Sequence, residues 1–142
     1  MESKPMLRIT WTEGPEYPMG IQDSACAVVD GKFVSAGGFT RHPKDVVARY
    51  PDAFDGAANG FTKLTFLFDP ARSDAGWTRV ANMPGPPRQG AAAAVVGDAL
   101  YALGGFNYAY PLTYRAAYRL RQDGGAWVWR GLPCELPWPV CE

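Results

Sequence analysis

Two stretches of this chain share one shape: "SACAVVDGKFVSAGGF", Ser24 to Phe39, and "AAAAVVGDALYALGGF", Ala91 to Phe106. Superposing Gly37-Gly38 on Gly104-Gly105 places Ala25 on Ala92, Ala27 on Ala94, Val28-Val29 on Val95-Val96 and Phe39 on Phe106. Just upstream, Gln22 falls on Gln89. Each copy reads as an apolar strand, a two-residue turn and a second strand ending on a glycine pair. Asp30-Gly31 between apolar runs is the signal of a type I′ hairpin, whose two turn residues need positive φ. Gly97-Asp98 is a weaker form of the same device. The glycine pairs mark places where a Cβ has no room, through close backbone approach or unusual φ/ψ.

A second landmark follows each copy. Phe68 lies nine residues before Trp77, and Tyr118 nine before Trp127. Each interval reads as a strand of alternating character (Leu64, Phe66, Phe68; Tyr114, Ala116, Tyr118), a polar turn, and a tryptophan opening a fourth strand. Proline-rich crossings come next, "MPGPPRQ" and "LPCELPWPV"; "ITWTEGPEYPMGIQ" repeats the pattern upstream, around Trp11. Sixteen glycines and thirteen prolines suit short strands and tight turns better than long helices, whose interiors both residues weaken.

On these residues the chain resembles the kelch family: strand, turn, strand, Gly-Gly, an aromatic strand, a tryptophan and a P-x-P-R-like crossing. The resemblance covers nearly all of the sequence after the first few residues. It implies an all-β fold, two four-stranded antiparallel kelch-type blades plus a leading strand, forming part of a β-propeller. The expected division is a leading strand and crossing over 1–19, one blade over 20–83, a second over 84–133 and a crossing segment over 134–142. Trp11, Trp77 and Trp127 are expected to pack between blades, as a regularly repeated aromatic marks a core. Residues 40–60 form a connection too long for a compact repeat, of the kind that is functional or mobile. Two blades cannot close a ring of about four to eight. The chain is therefore expected to be a fragment of a larger propeller, a ring completed by three copies, or an open form with blunted edges.

Composition narrows the function classes. Fourteen basic and fourteen acidic residues cancel, so no single-sign field favours nucleic acid or an anionic membrane surface. No apolar run approaches the roughly 20 residues that span a bilayer, and "MESKPMLRIT" lacks a secretory h-region. A cytoplasmic location is the resulting expectation, unless a leader was removed. Cys26 replaces the alanine at position 93 of the second copy and reads as a small buried hydrophobe. Cys134 and Cys141 read as free thiols. With one histidine, His42, and three scattered cysteines, the ligand set of a structural zinc site is missing. Kelch folds include copper radical oxidases, which the resemblance would support only with two histidine ligands. No cofactor is expected.

Strand alternation puts the crossings and the loops between second and third strands on one face. Gln22, Asp23, Arg41, His42, Arg88, Gln89, Asn107, Tyr108 and Tyr110 collect there as candidate ligand-binding residues, since loops on a rigid scaffold carry binding groups. Each has a plainer reading. Gln22 and Gln89 suit backbone caps, Arg88 a stacking or pairing role, Tyr108 and Tyr110 a cover over the adjoining blade, His42 a solvated side chain. Gly37, Gly38, Gly104 and Gly105 are structural. No nucleophile elbow or phosphate loop is present, and no catalytic residue is assigned. The expectation is a binding module for a protein segment or a carbohydrate; the rivals are part of a sugar-processing, sialic-acid epimerase-like enzyme, and a purely structural part of a larger propeller.

Overall fold

The structure, a computed structural model, describes residues 7–55, 59–109 and 111–141. Its strands are β1 (Ala25–Val29), β2 (Lys32–Ala36), β3 (Thr65–Phe68), β4 (Trp77–Val80), β5 (Gln89–Val96), β6 (Ala99–Phe106), β7 (Ala117–Asp123) and β8 (Ala126–Gly131). They form two four-stranded antiparallel sheets, β1-β2-β3-β4 and β5-β6-β7-β8. One short helix, α1 (Pro43–Arg49), and a 3-10 turn over Pro70–Ala75 complete the regular structure of the described residues. None of their helices is long and apolar enough to cross a membrane.

The turns carry the backbone their residues allow. Asp30 and Gly31 both have positive φ, 48° and 71°, and the register pairs Val29 with Lys32 directly across them. In the second hairpin Gly97 takes φ 60°, with glycine at the first turn position as in a type II′ turn. The glycine pairs serve a longer-range purpose. Each lies beneath the crossing that leaves its own blade: Gly38 N–H donates to the Arg88 carbonyl at 2.7 Å, and Gly105 N–H to the Val140 carbonyl at 2.8 Å. A Cβ on Gly37 would stand 2.8 Å from the Arg88 oxygen, and one on Gly104 would collide with the Val140 carbonyl.

The main core lies between the sheets. Ala25, Val29, Val34, Ala36 and Leu67 of the first blade meet Ala91, Leu100, Ala102, Leu120 and Trp129 of the second, with Met83 from the crossing. Inner strands β1 and β5 lie side by side, the radial arrangement of propeller blades. A second cluster covers the far face of the first blade: Val46, Ala53 and Phe54 from the long connection pack on Leu64 and Phe66, with Tyr17, Met19, Tyr50 and Trp77 around them. The connection over 40–60 is thus neither a bare loop nor a free one where it is described. Its helix begins at Pro43, suited to the first helical position, and turns Val46 inward.

Three expectations give way. The segment around Trp11 forms no strand, and Trp11 is 87% exposed. The segment's expected place is as the outer strand of a preceding blade, and the described residues hold no third sheet for it to pair with. Trp77 is half-buried on the far face of the first blade, not between the two; its indole N–H reaches the Pro15 carbonyl at 3.3 Å and its ring meets Tyr17 at 4.8 Å. Cys26 is exposed. Ala25, Ala27 and Val29 face the second blade, so period 2 turns Cys26 the other way, where the insert shields the outer strands but leaves β1 open. Trp127 does border the inter-blade core, half-buried.

Tyr17 offers a test of that second cluster. Its hydroxyl donates to Ser35 Oγ at 3.0 Å, and Ser35 in turn to Ser24 Oγ at 3.0 Å. Burial pushes the phenol from 10.0 up to about 12, outweighing the opposing Ser35 hydrogen bond. Below pH 10 the phenol is neutral folded or unfolded and its contribution is intact. As pH rises from about 10 to about 12 the unfolded chain ionises first, and stability falls by on the order of 2 kcal/mol. Urea unfolding at about pH 9 and about pH 11.5 should show a smaller loss for Tyr17→Phe than for the parent. Equal losses would mean the phenol is not shielded.

Candidate binding face

The hydrogen bonds from Gly38 to Arg88 and from Gly105 to Val140 tie each crossing to the loop that follows its blade's second strand, so both kinds of segment share one face. Asp23 and Gln89 meet there at the starts of the inner strands. Gln89 Nε2 donates to Asp23 Oδ2 at 3.0 Å, and Gly90 N–H to the Asp23 carbonyl at 2.9 Å. Asp23 holds φ 53° where the other repeat has Gly90 at 60°. This stitch joins the two blades and leaves Gln89 buried. Gln22 is exposed; its backbone exchanges two hydrogen bonds with Phe39, so its side chain is not needed as a cap.

Arg88 is not on the surface. It is 1% exposed, and its guanidinium donates to the carbonyls of Pro86 and Gly104, each at 3.0 Å, and reaches the Tyr118 hydroxyl at 3.5 Å. The same group lies over the rings of Tyr114 at 4.2 Å and Tyr118 at 5.2 Å. Burial pushes its pKa down, while the two phenols oppose the shift. A guanidinium so engaged is a structural pin, and its expected ligand-binding role is withdrawn. Asn107 is likewise buried and internal: Nδ2 donates to the Pro87 carbonyl at 2.7 Å, and Oδ1 accepts from Ala109 N–H at 2.8 Å.

One aromatic ring of this face, Tyr108, is exposed to solvent. Phe61, fully buried, meets Phe39 at 5.1 Å, Tyr108 at 5.1 Å and Phe106 at 6.2 Å, all edge to face. Tyr108 stands on this base while 76% exposed, and Leu112 of the same loop is 56% exposed. The Asn107 N–H closes that loop on the Leu112 carbonyl at 2.9 Å. A recess of about 220 Å³ lies nearby, lined by Asp55, Asn59, Pro86, Pro87, Asn107 and Tyr114. Arg41 and His42 are exposed on the insert. Tyr110 lies outside the described residues. Phe61 and the insert's packing were missed from sequence, because nothing local ties residue 61 to Tyr108.

Chemically this face offers an aromatic prominence and amide and carboxylate groups, without a paired acid and base. Among the described residues no group of three or more His, Cys, Asp or Glu could hold a metal ion. Fold and face together define two propeller-like blades that present a loop surface. No family model and no curated protein matches the chain. Among solved structures, that of YjhT superposes with a TM-score of 0.64 at 23% identity, over 88% of this chain and 40% of that one. The likeness is one of fold, and this chain spans about two fifths of the YjhT chain's length.

Proposed function

We propose that the chain is a kelch-type binding module whose loop face recognises a protein segment or a carbohydrate through Tyr108. The observation that carries the reading is an aromatic side chain 76% exposed yet braced by buried Phe61. Holding a large apolar ring rigidly in water has a cost that contact with a partner recovers, and tyrosine is among the side chains enriched at binding hot spots. Leu112 beside it favours a protein segment, since a second exposed aliphatic suits an apolar anchor better than a sugar hydroxyl.

A displayed peptide library and a glycan panel, each screened with the parent and with Tyr108→Ala, test this. Selected peptides should bind the parent and lose about tenfold or more on Tyr108→Ala. Glycan binding with the same loss would assign the carbohydrate instead, and an unchanged profile on both panels would remove Tyr108 from the function. The enzyme reading would need acids or bases on further blades to complete a sugar-processing site. Turnover of a sugar panel by the assembled protein, abolished by Asp23→Asn, would establish it over the binding reading.

Assembly belongs to the same proposal. Val28 and Phe33 on the first blade and Val96 on the second are 51%, 45% and 65% exposed, the surfaces that further blades or two more copies would cover. Sedimentation at micromolar concentration should read three times the 15.5 kDa chain mass if copies close the ring. A single-chain mass would exclude the three-copy ring.

A further inference from the structure

The connection between β2 and β3 builds a site as well as a cover. The corresponding connection in the second blade is short, residues 107–116 against 40–64 in the first, and has no helix among its described residues. Between α1 and the crossing at Pro18–Gly20 lies a pocket of about 260 Å³. Its apolar wall is Val46, 4% exposed, with Met19 and Tyr50, both packed on the cluster beneath. Its polar wall is His42, Asp45 and Arg49.

The polar wall has unused capacity. Asp45 and Arg49 are four apart on one helix, a spacing that sets Cβ atoms about 5–6 Å apart and normally lets opposite charges pair. No ion pair joins them among the described residues. Arg49 instead donates to the Pro18 carbonyl at 3.3 Å and lies 5.3 Å from the centre of the Tyr50 ring. Neither Asp45 nor the His42 ring makes a side-chain hydrogen bond to another described residue. The helix dipole explains an acid in the first turn and a base in the last. Both charges line the pocket.

We propose that this pocket binds a free α-amino acid with an apolar side chain. The ligand's ammonium would meet Asp45, its carboxylate Arg49, and its side chain the wall of Val46, Met19 and Tyr50. An acid and a base four residues apart on one helix offer an opposite charge to each end of a zwitterion, and each contact would be a charge-assisted hydrogen bond. The volume falls below the roughly 300–1,000 Å³ of sites for drug-sized ligands, so the ligand is small. A phosphate or dicarboxylate would be repelled by Asp45, and a sugar would leave the apolar wall unused. The site is separate from the Tyr108 surface, and neither depends on the other.

Isothermal titration of the full chain with L-leucine, leucinamide and 4-methylpentanoate tests it, since the analogues lack the carboxylate and the ammonium respectively. L-leucine should bind saturably, and each analogue about tenfold or more weaker. Asp45→Asn should reduce leucine to the affinity of 4-methylpentanoate, and Arg49→Gln should reduce it to that of leucinamide. Both side chains are exposed, and a thermal melt matching the parent's confirms that each variant is folded. No saturable leucine binding up to about 10 mM, or analogues that bind the parent as well as leucine does, would overturn the assignment. Because the heat is read without a macromolecular partner, that failure leaves the Tyr108 reading standing, and failure of the Tyr108 screens leaves this one standing.

Discussion

Replacing Arg88 by alanine should destabilise the fold by about 3–5 kcal/mol, read as a shift in the urea midpoint without change in slope. The substitution removes three donor contacts at once and leaves the Pro86 and Gly104 carbonyls without their guanidinium partner. Each buried polar group left unpaired costs about 1–3 kcal/mol, and the space under Tyr114 and Tyr118 is emptied as well. Against a total stability of about 5–15 kcal/mol for a domain, the loss is a large fraction. Arg88→Lys should recover little, because an ammonium on a flexible stem cannot match a planar fork that meets two carbonyls and lies over two rings. Tyr118→Phe, which removes only the longest of these contacts, should cost about 1 kcal/mol or less. An Arg88→Ala protein within about 1 kcal/mol of the parent would return the side chain to the list of surface candidates.

Trp129→Ala should cost a similar amount, about 3–5 kcal/mol. The residue is 8% exposed, and its indole N–H donates to Thr65 Oγ1 at 3.2 Å, from β8 of one blade to β3 of the other. Trp129→Phe keeps a ring in the gap but leaves the Thr65 hydroxyl without its donor, a loss of about 1–2 kcal/mol. The tryptophans should then rank by burial: Trp129→Ala the most damaging, half-buried Trp127→Ala less so, and Trp11→Ala within about 0.5 kcal/mol of the parent. Urea unfolding of the three variants checks the order. Hydrogen exchange should also speed up at Thr65 and its β3 neighbours in Trp129→Ala, since that strand loses its cross-blade contact. Equal effects at positions 11 and 129 would contradict the packing described for the inter-blade core.

The strands were legible because their signals are local. Asp30-Gly31 signals a hairpin where it stands between apolar runs, and the alternation over Leu64–Phe68 locates β3, although that strand is buried on both faces. The run Tyr114–Tyr118 only overlaps the start of β7, which begins at Ala117. Trp129 was within reach of the same logic: Trp127 and Trp129 are two apart in one strand and so share a face. Trp127, the equivalent of Trp77, borders the inter-blade core, while Trp129 lies within it. Arg88 was located correctly, in the crossing and after proline, yet assigned to the wrong side of the surface. Its neighbours Tyr114 and Tyr118 are about 30 residues away, and only blade closure brings them under the guanidinium. The insert was equally opaque, because Val46 and Phe54 have a core to join only once Phe66 and Trp77 present the far face of the first blade.

Repetition, turn chemistry and alternation thus determined by themselves that this chain forms two four-stranded sheets with loops gathered on one face. Folding in three dimensions decided which charged side chain is interior, which tryptophan joins the blades and which aromatic ring is left in water. The division follows from range. Backbone geometry responds to the nearest few residues, whereas burial of Arg88, Trp129 or Tyr108 depends on what distant strands bring against it.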